Sequence, residues 1–304
     1  MRRTLLRPAA LVAATVLALG SLAACGDDDP TDGASATPTP TRSASETPST
    51  EPTPSESPSE SPTATEAPAA VRTGVFYVVD TRAGLRLARE RRQVSGDDPV
   101  RAAVEAMVQG PQDPDYTTTW NPETTVNGVA VRGESIDVDL SAEARTANVG
   151  SPGAAMMIQQ LVWTATEAAR APEGRVRLLI DGQPAGELWG AVSWDGPIDR
   201  DDPLDVRMLV QIDTPTEGAE VGSPVVVRGE GAVFEATVPW RVLNAQGRVV
   251  KRGVTMTREG MAFSPYRFRV TLAPGTYTVE VVEDDPSGGE GGTPMSDSKT
   301  ITVR

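Results

Sequence analysis

The sequence IDVDLS at residues 136–141 decides the fold of the first folded module of the chain. It alternates three aliphatic residues with two aspartates, and such alternation is typical of a β-strand with one buried face. Asp137 and Asp139 therefore lie on the same sheet face. A polar face in water explains both side chains. Paired carboxylates also serve acid–base catalysis or hold a cation, but no third ligand or base is identifiable.

Helix and strand signals alternate on both sides of this strand. Asp98-Pro99 and Ser151-Pro152 predict the starts of two helices, which end at Gly110-Pro111 and Ala171-Pro172. Strands are predicted at 75–79, 126–131, 136–140 and 176–180. The order β-α-β-β-α-β over residues 71–200 predicts a small α+β sandwich whose helices cover one face of a sheet.

In this order and spacing, these segments resemble a GerM-type sporulation and spore germination (GerMN) domain. The resemblance is carried by FYV at 76–78, Gly110-Pro111, IDVDLS at 136–141, QLVWTAT at 160–166, and Val176 with Ile180-Asp181-Gly182. Some GerM-type domains resemble ring-building modules of envelope assemblies, and others belong to lipoproteins paired with sensor kinases. The resemblance therefore implies a scaffold or a sensor-accessory role, and both stay open.

The rest of the chain carries strand signals and no convincing helix. Strands are predicted at 208–212, 225–227, 238–243, 248–254, 266–272, 277–282 and 300–303. Seven short strands within residues 205–304 predict an all-β immunoglobulin-like sandwich after the α+β sandwich, with Trp240 between the two sheets.

This second module resembles the immunoglobulin-like domain of bacterial spore germination proteins. The residues that carry the resemblance are Ile212, Pro215, Gly218, Val221, Ser223-Pro224, Val226, Val227, Gly229, Phe234-Glu235-Ala236, Gly247, Phe263, Phe268 and Ile301-Thr302-Val303. Strand alternation does not explain Glu235, which is either a ligand-facing group or part of a turn. We favour the structural role.

Five residues are the candidates for a recognition surface: Asp137, Asp139, Trp189, Trp194 and Glu235. The two tryptophans stand where the strand pattern gives way to loops. They either form an exposed patch or cover the end of the core, and covering the core is the commoner use of such residues.

The N-terminus resembles a bacterial lipoprotein signal over residues 1–25. Three arginines precede a short apolar stretch, which is well below the roughly 20 residues of a membrane-spanning helix. Leu22-Ala23-Ala24-Cys25 follows and resembles the lipobox read by the lipoprotein signal peptidase. We expect diacylglycerol on the Cys25 thiol, so that the mature chain is anchored on the outer face of the membrane.

Residues 26–70 are expected to form a disordered tether. They hold nine of the 26 prolines, many Ser, Thr and Glu, and none of Val, Ile, Leu, Met, Phe, Trp, Tyr or Cys. Such a composition cannot offset the entropy cost of folding. A flexible coil of this length averages about 35–40 Å end to end, and a polyproline-like chain reaches roughly 140 Å.

The composition excludes much chemistry. The chain has 304 residues, one Cys, no His and a formal net charge of −14. Without His there is no Ser–His or Cys–His nucleophile pair and no imidazole metal ligand, and one Cys cannot close an intramolecular disulfide. The acidic charge argues against a nucleic-acid partner. No cofactor and no metal is expected.

The function predicted from these features is that of a non-catalytic cell-envelope lipoprotein. It presents two binding or assembly modules on a flexible stalk and engages an envelope protein, peptidoglycan or another wall glycan; self-association stays open. The alternative is an envelope glycan hydrolase that uses Asp137, Asp139 or Glu235, because paired-carboxylate chemistry needs no His.

Overall fold

The computed structural model describes residues 69–286, 290 and 292–304. The signal segment, Leu22-Ala23-Ala24-Cys25 and residues 26–68 of the predicted tether lie outside the described residues. Within the described part of the chain, no helix has the length and apolar character needed to cross a membrane.

The first module contains two long helices and a four-stranded sheet of order β3-β4-β5-β6. Its elements are β1 (Ala70–Thr81), β2 (Gly84–Ser95), α1 (Pro99–Gln109), β3 (Val126–Arg132), β4 (Ser135–Leu140), α2 (Ser151–Ala168), β5 (Arg175–Ile180), β6 (Gln183–Pro184), β7 (Gly186–Leu188) and β8 (Val192–Trp194). Asp98 caps α1, its Oδ1 accepting from Arg101 N at 2.9 Å, and Gly110 follows the last turn. The predicted α+β class is confirmed.

The structure adds one long strand that the sequence pattern did not predict. β2 pairs with β1 along its whole length, from Ala70 opposite Ser95 to Thr81 opposite Gly84. The charged run Arg89-Glu90-Arg91-Arg92 conceals this strand, because buried strands normally lack charges. Here Arg89 and Glu90 are buried and find partners elsewhere in the fold.

The second module is a sandwich of two sheets, as predicted. After the short helix α3 (Pro203–Val206), its strands are β9 (Val210–Thr214), β10 (Ala219–Val221), β11 (Val225–Gly231), β12 (Thr237–Asn244), β13 (Val249–Met256), β14 (Ser264–Val270), β15 (Gly275–Val282) and β16 (Ser296–Val303). Their orders are β10-β16-β15-β12-β13 and β14-β11-β9. Trp240 of the first sheet stacks on Phe268 of the second, with ring centroids 4.6 Å apart.

The two modules pack into one compact unit through two clusters of buried charges. In the arginine–carboxylate cluster, Arg89 of β2 donates to Asp213 of β9 at 2.8–3.1 Å and lies 3.1 Å from Glu230 of β11. Glu230 also pairs with Arg207, which follows α3. Burial alone would raise the pKa of Glu230, but Arg207 and Arg89 hold it below its ordinary value.

The lysine cluster is the second buried junction. Lys299 of β16 lies 2.7 Å from Asp113 and 2.6 Å from Asp297, and all three side chains are almost fully buried. Tyr116 donates to Asp297 Oδ1 at 2.7 Å. Asp113 and Tyr116 belong to the first module, whereas Asp297 and Lys299 belong to the second. One ammonium therefore neutralises carboxylates from both modules.

Replacing this lysine should destabilise the whole unit. Lys299→Ala leaves two buried carboxylates without a counter-charge, and removing one partner of a buried pair costs about 3–5 kcal/mol. Lys251, the only other lysine, is the control, because it is exposed and forms no ion pair within the described residues. The free energy of unfolding of Lys251→Ala should therefore differ from that of the wild type by no more than about 0.5 kcal/mol. Urea unfolding followed by tryptophan fluorescence measures both. Equal, small losses for the two variants would contradict this assignment.

Candidate functional site

Asp137 is engaged in a structural ion pair on β4. Its carboxylate accepts from Arg177 Nε and Nη2 at 2.9 and 2.7 Å, and from Arg132 Nη1 at 2.8 Å. The hydrogen bonds from Arg177, and then those from Arg132, hold its pKa below the ordinary value, against the opposing effect of burial. Asp139 lies on the same face, as predicted, and accepts from the Gly182 backbone N–H at 2.9 Å. Asp137 thus links β4 to arginines of β3 and β5, and Asp139 links β4 to the turn that follows β5.

The two candidate tryptophans cover the end of the first module's core. Trp194 is 1% exposed and donates its indole N–H to the Val176 carbonyl at 3.3 Å. Trp189 is partly buried, donates to the Ala144 carbonyl at 3.0 Å and meets the ring of Trp120 edge-on at 5.5 Å. Their geometry matches the structural alternative.

Glu235 stands apart from the other four candidates. It is exposed in the short 3₁₀ turn Phe234–Ala236 of the second module and has a left-handed φ of 49°. Among the described residues, no hydrogen bond or ion pair joins it to Asp137, Asp139 or either tryptophan. The described residues also contain no group of three Asp, Glu, His or Cys side chains that could hold a metal ion.

A groove that the sequence analysis missed lies where the two modules meet. It has a volume of about 670 Å³ and is lined by residues of both modules. We call it the arginine groove after its five arginines: Arg72, Arg91, Arg228, Arg258 and Arg267. Asp213 is the one carboxylate that lines it, and that carboxylate already accepts hydrogen bonds from Arg89.

Strand register places two of these arginines side by side. Arg228 on β11 is directly opposite Arg267 on β14. Their neighbours Val227 and Phe268 point into the sandwich core, so both arginines point outward. Directly opposite side chains on antiparallel strands have Cβ atoms about 5 Å apart, and like charges there are destabilising. The outer face of this small sheet therefore holds concentrated positive charge.

The opposite wall of the groove comes from the first module. Arg72 projects from β1, and Arg91 from β2 pairs with Asp213 and Glu167 at 3.2 Å each. Since Asp213 belongs to β9, the same contacts that join the modules also set the width of the groove.

Basic residues are concentrated in a stretch of the sequence that contributes to this groove. Residues 248–269 contain five Arg and one Lys against a single acid, Glu259, whereas residues 71–304 carry 24 Lys and Arg against 33 Asp and Glu. The run is not contiguous, and only strand pairing gathers its charges onto one surface.

Comparison with known proteins places both modules in families. Residues 75–186 match the family described as sporulation and spore germination, and residues 209–290 match the immunoglobulin-like domain of bacterial spore germination. A search of curated protein sequences finds no match.

Solved structures with similar folds include two from Bacillus subtilis. The tandem GerMN domains of the sporulation protein GerM are 13% identical with a TM-score of 0.37, covering 47% of this chain and 50% of that one. The first GerMN domain alone is 20% identical with a TM-score of 0.33, covering 43% of this chain and 96% of that one. A putative lipoprotein from Clostridium perfringens is 16% identical with a TM-score of 0.31, covering 46% and 93%.

The chain spans half the length of the tandem GerMN structure, and its two family matches are consecutive and do not overlap. The first match covers most of the α+β module and the second covers most of the β-sandwich. The chain therefore carries a sporulation and spore germination domain followed by an immunoglobulin-like domain of the kind found in bacterial spore germination.

Proposed function

We propose that this protein is a non-catalytic accessory lipoprotein of the cell envelope. A lipid on Cys25 holds it on the outer face of the membrane, and the tether of residues 26–70 lets the folded unit reach an envelope protein or a cell-wall component. The observation that carries the proposal is the arginine groove, whose walls come from both modules. A joint surface of this kind suits binding or assembly by the two modules acting together.

The geometry of the carboxylates supports the non-catalytic role. A glycan hydrolase needs a carboxylic acid whose pKa is raised, so that it can protonate the leaving group. Asp137 has the opposite property, because two guanidinium groups stabilise its ionised form. Glu235 belongs to the other module, so Asp137 and Asp139 are the only candidate pair on one face, and Asp137 of that pair is already held by Arg177 and Arg132.

The pH dependence of stability tests this assignment of Asp137. Its pKa is lowered on folding, so its contribution is present above the unfolded value of about 3.9 and disappears as pH falls through the folded value. Asp137→Asn should therefore destabilise the protein by a constant amount from pH 7 to 5, and the difference should shrink only below about pH 4.

Urea unfolding of wild type and Asp137→Asn at stepped pH values makes this measurement. Asp195→Asn is the control, because Asp195 is exposed and forms no ion pair within the described residues. A difference that already shrinks above pH 5 would indicate a raised pKa and would favour the hydrolase.

Membrane attachment depends on one atom, the sulfur of Cys25. Cys25→Ser removes the only thiol of the chain, so the protein should leave the membrane fraction and appear in the medium or the soluble envelope fraction. An inhibitor of the lipoprotein signal peptidase should block maturation of the wild type. Ser35→Ala, in the tether, should remain in the membrane fraction. Unchanged membrane association of Cys25→Ser would refute the lipid anchor.

A further inference from the structure

We propose that the arginine groove binds an anion that bears two or more phosphate groups. The proposal deepens the proposed function, since it gives the envelope ligand a chemical class. It rests on the proposed function only in assuming that the protein meets this ligand in the cell envelope. Binding itself depends on the folded unit alone.

Unpaired charge is the first observation that supports this site. Within the described residues, Arg72, Arg228, Arg258 and Arg267 form no ion pair, and all four are exposed. Six exposed arginines outside the groove pair with a carboxylate, namely Arg82, Arg132, Arg175, Arg177, Arg241 and Arg304. Five others form no ion pair within the described residues but are spread over the rest of the surface: Arg145, Arg170, Arg248, Arg252 and Arg269. The groove is distinguished by holding four unpaired arginines together, in a cavity lined by a single carboxylate that Arg89 and Arg91 already bind.

The cross-strand arginine pair is the second observation. Arg228 and Arg267 are held opposite each other in a sheet, which costs stability unless an anion lies between them. Guanidinium groups bind phosphate oxygens through two parallel hydrogen bonds, and a phosphate group offers three acceptor oxygens with up to two charges. One phosphate can therefore satisfy both side chains at once.

The remaining groove arginines indicate how many phosphate groups the ligand carries. Arg258, which follows β13, and Arg72, from the facing module, line the same groove and stay unpaired once the first phosphate is placed. A volume of about 670 Å³ is within the range of pockets that hold small ligands or a short polymer segment. Two phosphates joined in one molecule match this charge and this space.

Carboxylate ligands fit the arrangement less well. Acidic residues on one face of an extended peptide recur at every second position, about 7 Å apart. Two such carboxylates would each bind one arginine of the Arg228–Arg267 pair, whereas the oxygens of one phosphate can bind both. A single doubly charged group is better matched to the pair.

Calorimetric titration with tripolyphosphate at low salt tests the site directly. The sample is the mature chain, residues 25–304, with Cys25→Ser so that no lipid is attached. Wild-type arginines should bind tripolyphosphate, and the double variant R228Q/R267Q should bind at least about tenfold more weakly, because two bidentate contacts are lost. R248Q is the matched control: Arg248 is exposed in the same module and lies outside the groove, so its affinity should change by less than about twofold.

Thermal unfolding separates loss of the site from loss of the fold. Without ligand, R228Q/R267Q should melt no lower than wild type, because the substitution relieves like-charge repulsion. Added tripolyphosphate should raise the Tm of wild type and of R248Q but not that of the double variant.

Two further probes identify the source of the phosphate. Vesicles of phosphatidylglycerol, compared with phosphatidylcholine vesicles, test a lipid surface on which neighbouring anionic headgroups together present two or more phosphates. Binding to them that R228Q/R267Q abolishes also supports the proposed site. Tricarballylate tests whether any trivalent anion suffices. Equal affinity for tricarballylate and tripolyphosphate would overturn the assignment of the ligand as a phosphate. If the protein binds neither tripolyphosphate nor phosphatidylglycerol vesicles, the site itself is overturned. Either failure leaves the Cys25→Ser result, and hence the lipid-anchored accessory role, unaffected.

Discussion

The guanidinium group of Arg89 is the contact on which the rest of the structure depends. Its side chain is 7% exposed, and its counter-charges, Asp213 and Glu230, come from two different strands of the other module. A buried ion pair adds little net stability over apolar packing, but any arrangement that strips a buried charge of its partner costs several kcal/mol. The cluster therefore selects one relative placement of the modules, and the arginine groove exists only in that placement.

Cation–π contacts to aromatic rings of both modules add to this junction. The guanidinium of Arg207 lies 5.3 Å from the ring of Trp163 in the first module and 4.2 Å from that of Phe263 in the second. Cation–π contacts of this kind gain strength where water is excluded. Positive charge thus serves two purposes at the boundary: buried arginines join the modules, and exposed arginines a short distance away remain open to a ligand.

Sequence pattern predicted the elements whose chemistry is local. The alternation in IDVDLS predicted β4 and its aspartate face, Asp98-Pro99 predicted the start of α1, and seven strand signals predicted the second sandwich. The sequence pattern did not predict β2, because charged residues such as Arg89 and Glu90 are expected to be exposed unless their buried partners are known. Arg89 and Asp213 are 124 residues apart, and no local pattern connects them. The groove was missed for the same reason, since Arg228 and Arg267 become neighbours only through the register of β11 and β14.

Differential scanning calorimetry of the mature chain tests most directly whether the two modules form one unit. Buried charges shared across the boundary couple the modules, so we expect one unfolding transition whose calorimetric and van't Hoff enthalpies agree. Lys299→Ala should lower that single transition or split it. Two well-separated transitions in the wild type would contradict the account, because each module would then fold without the other and the arginine groove would have no fixed geometry.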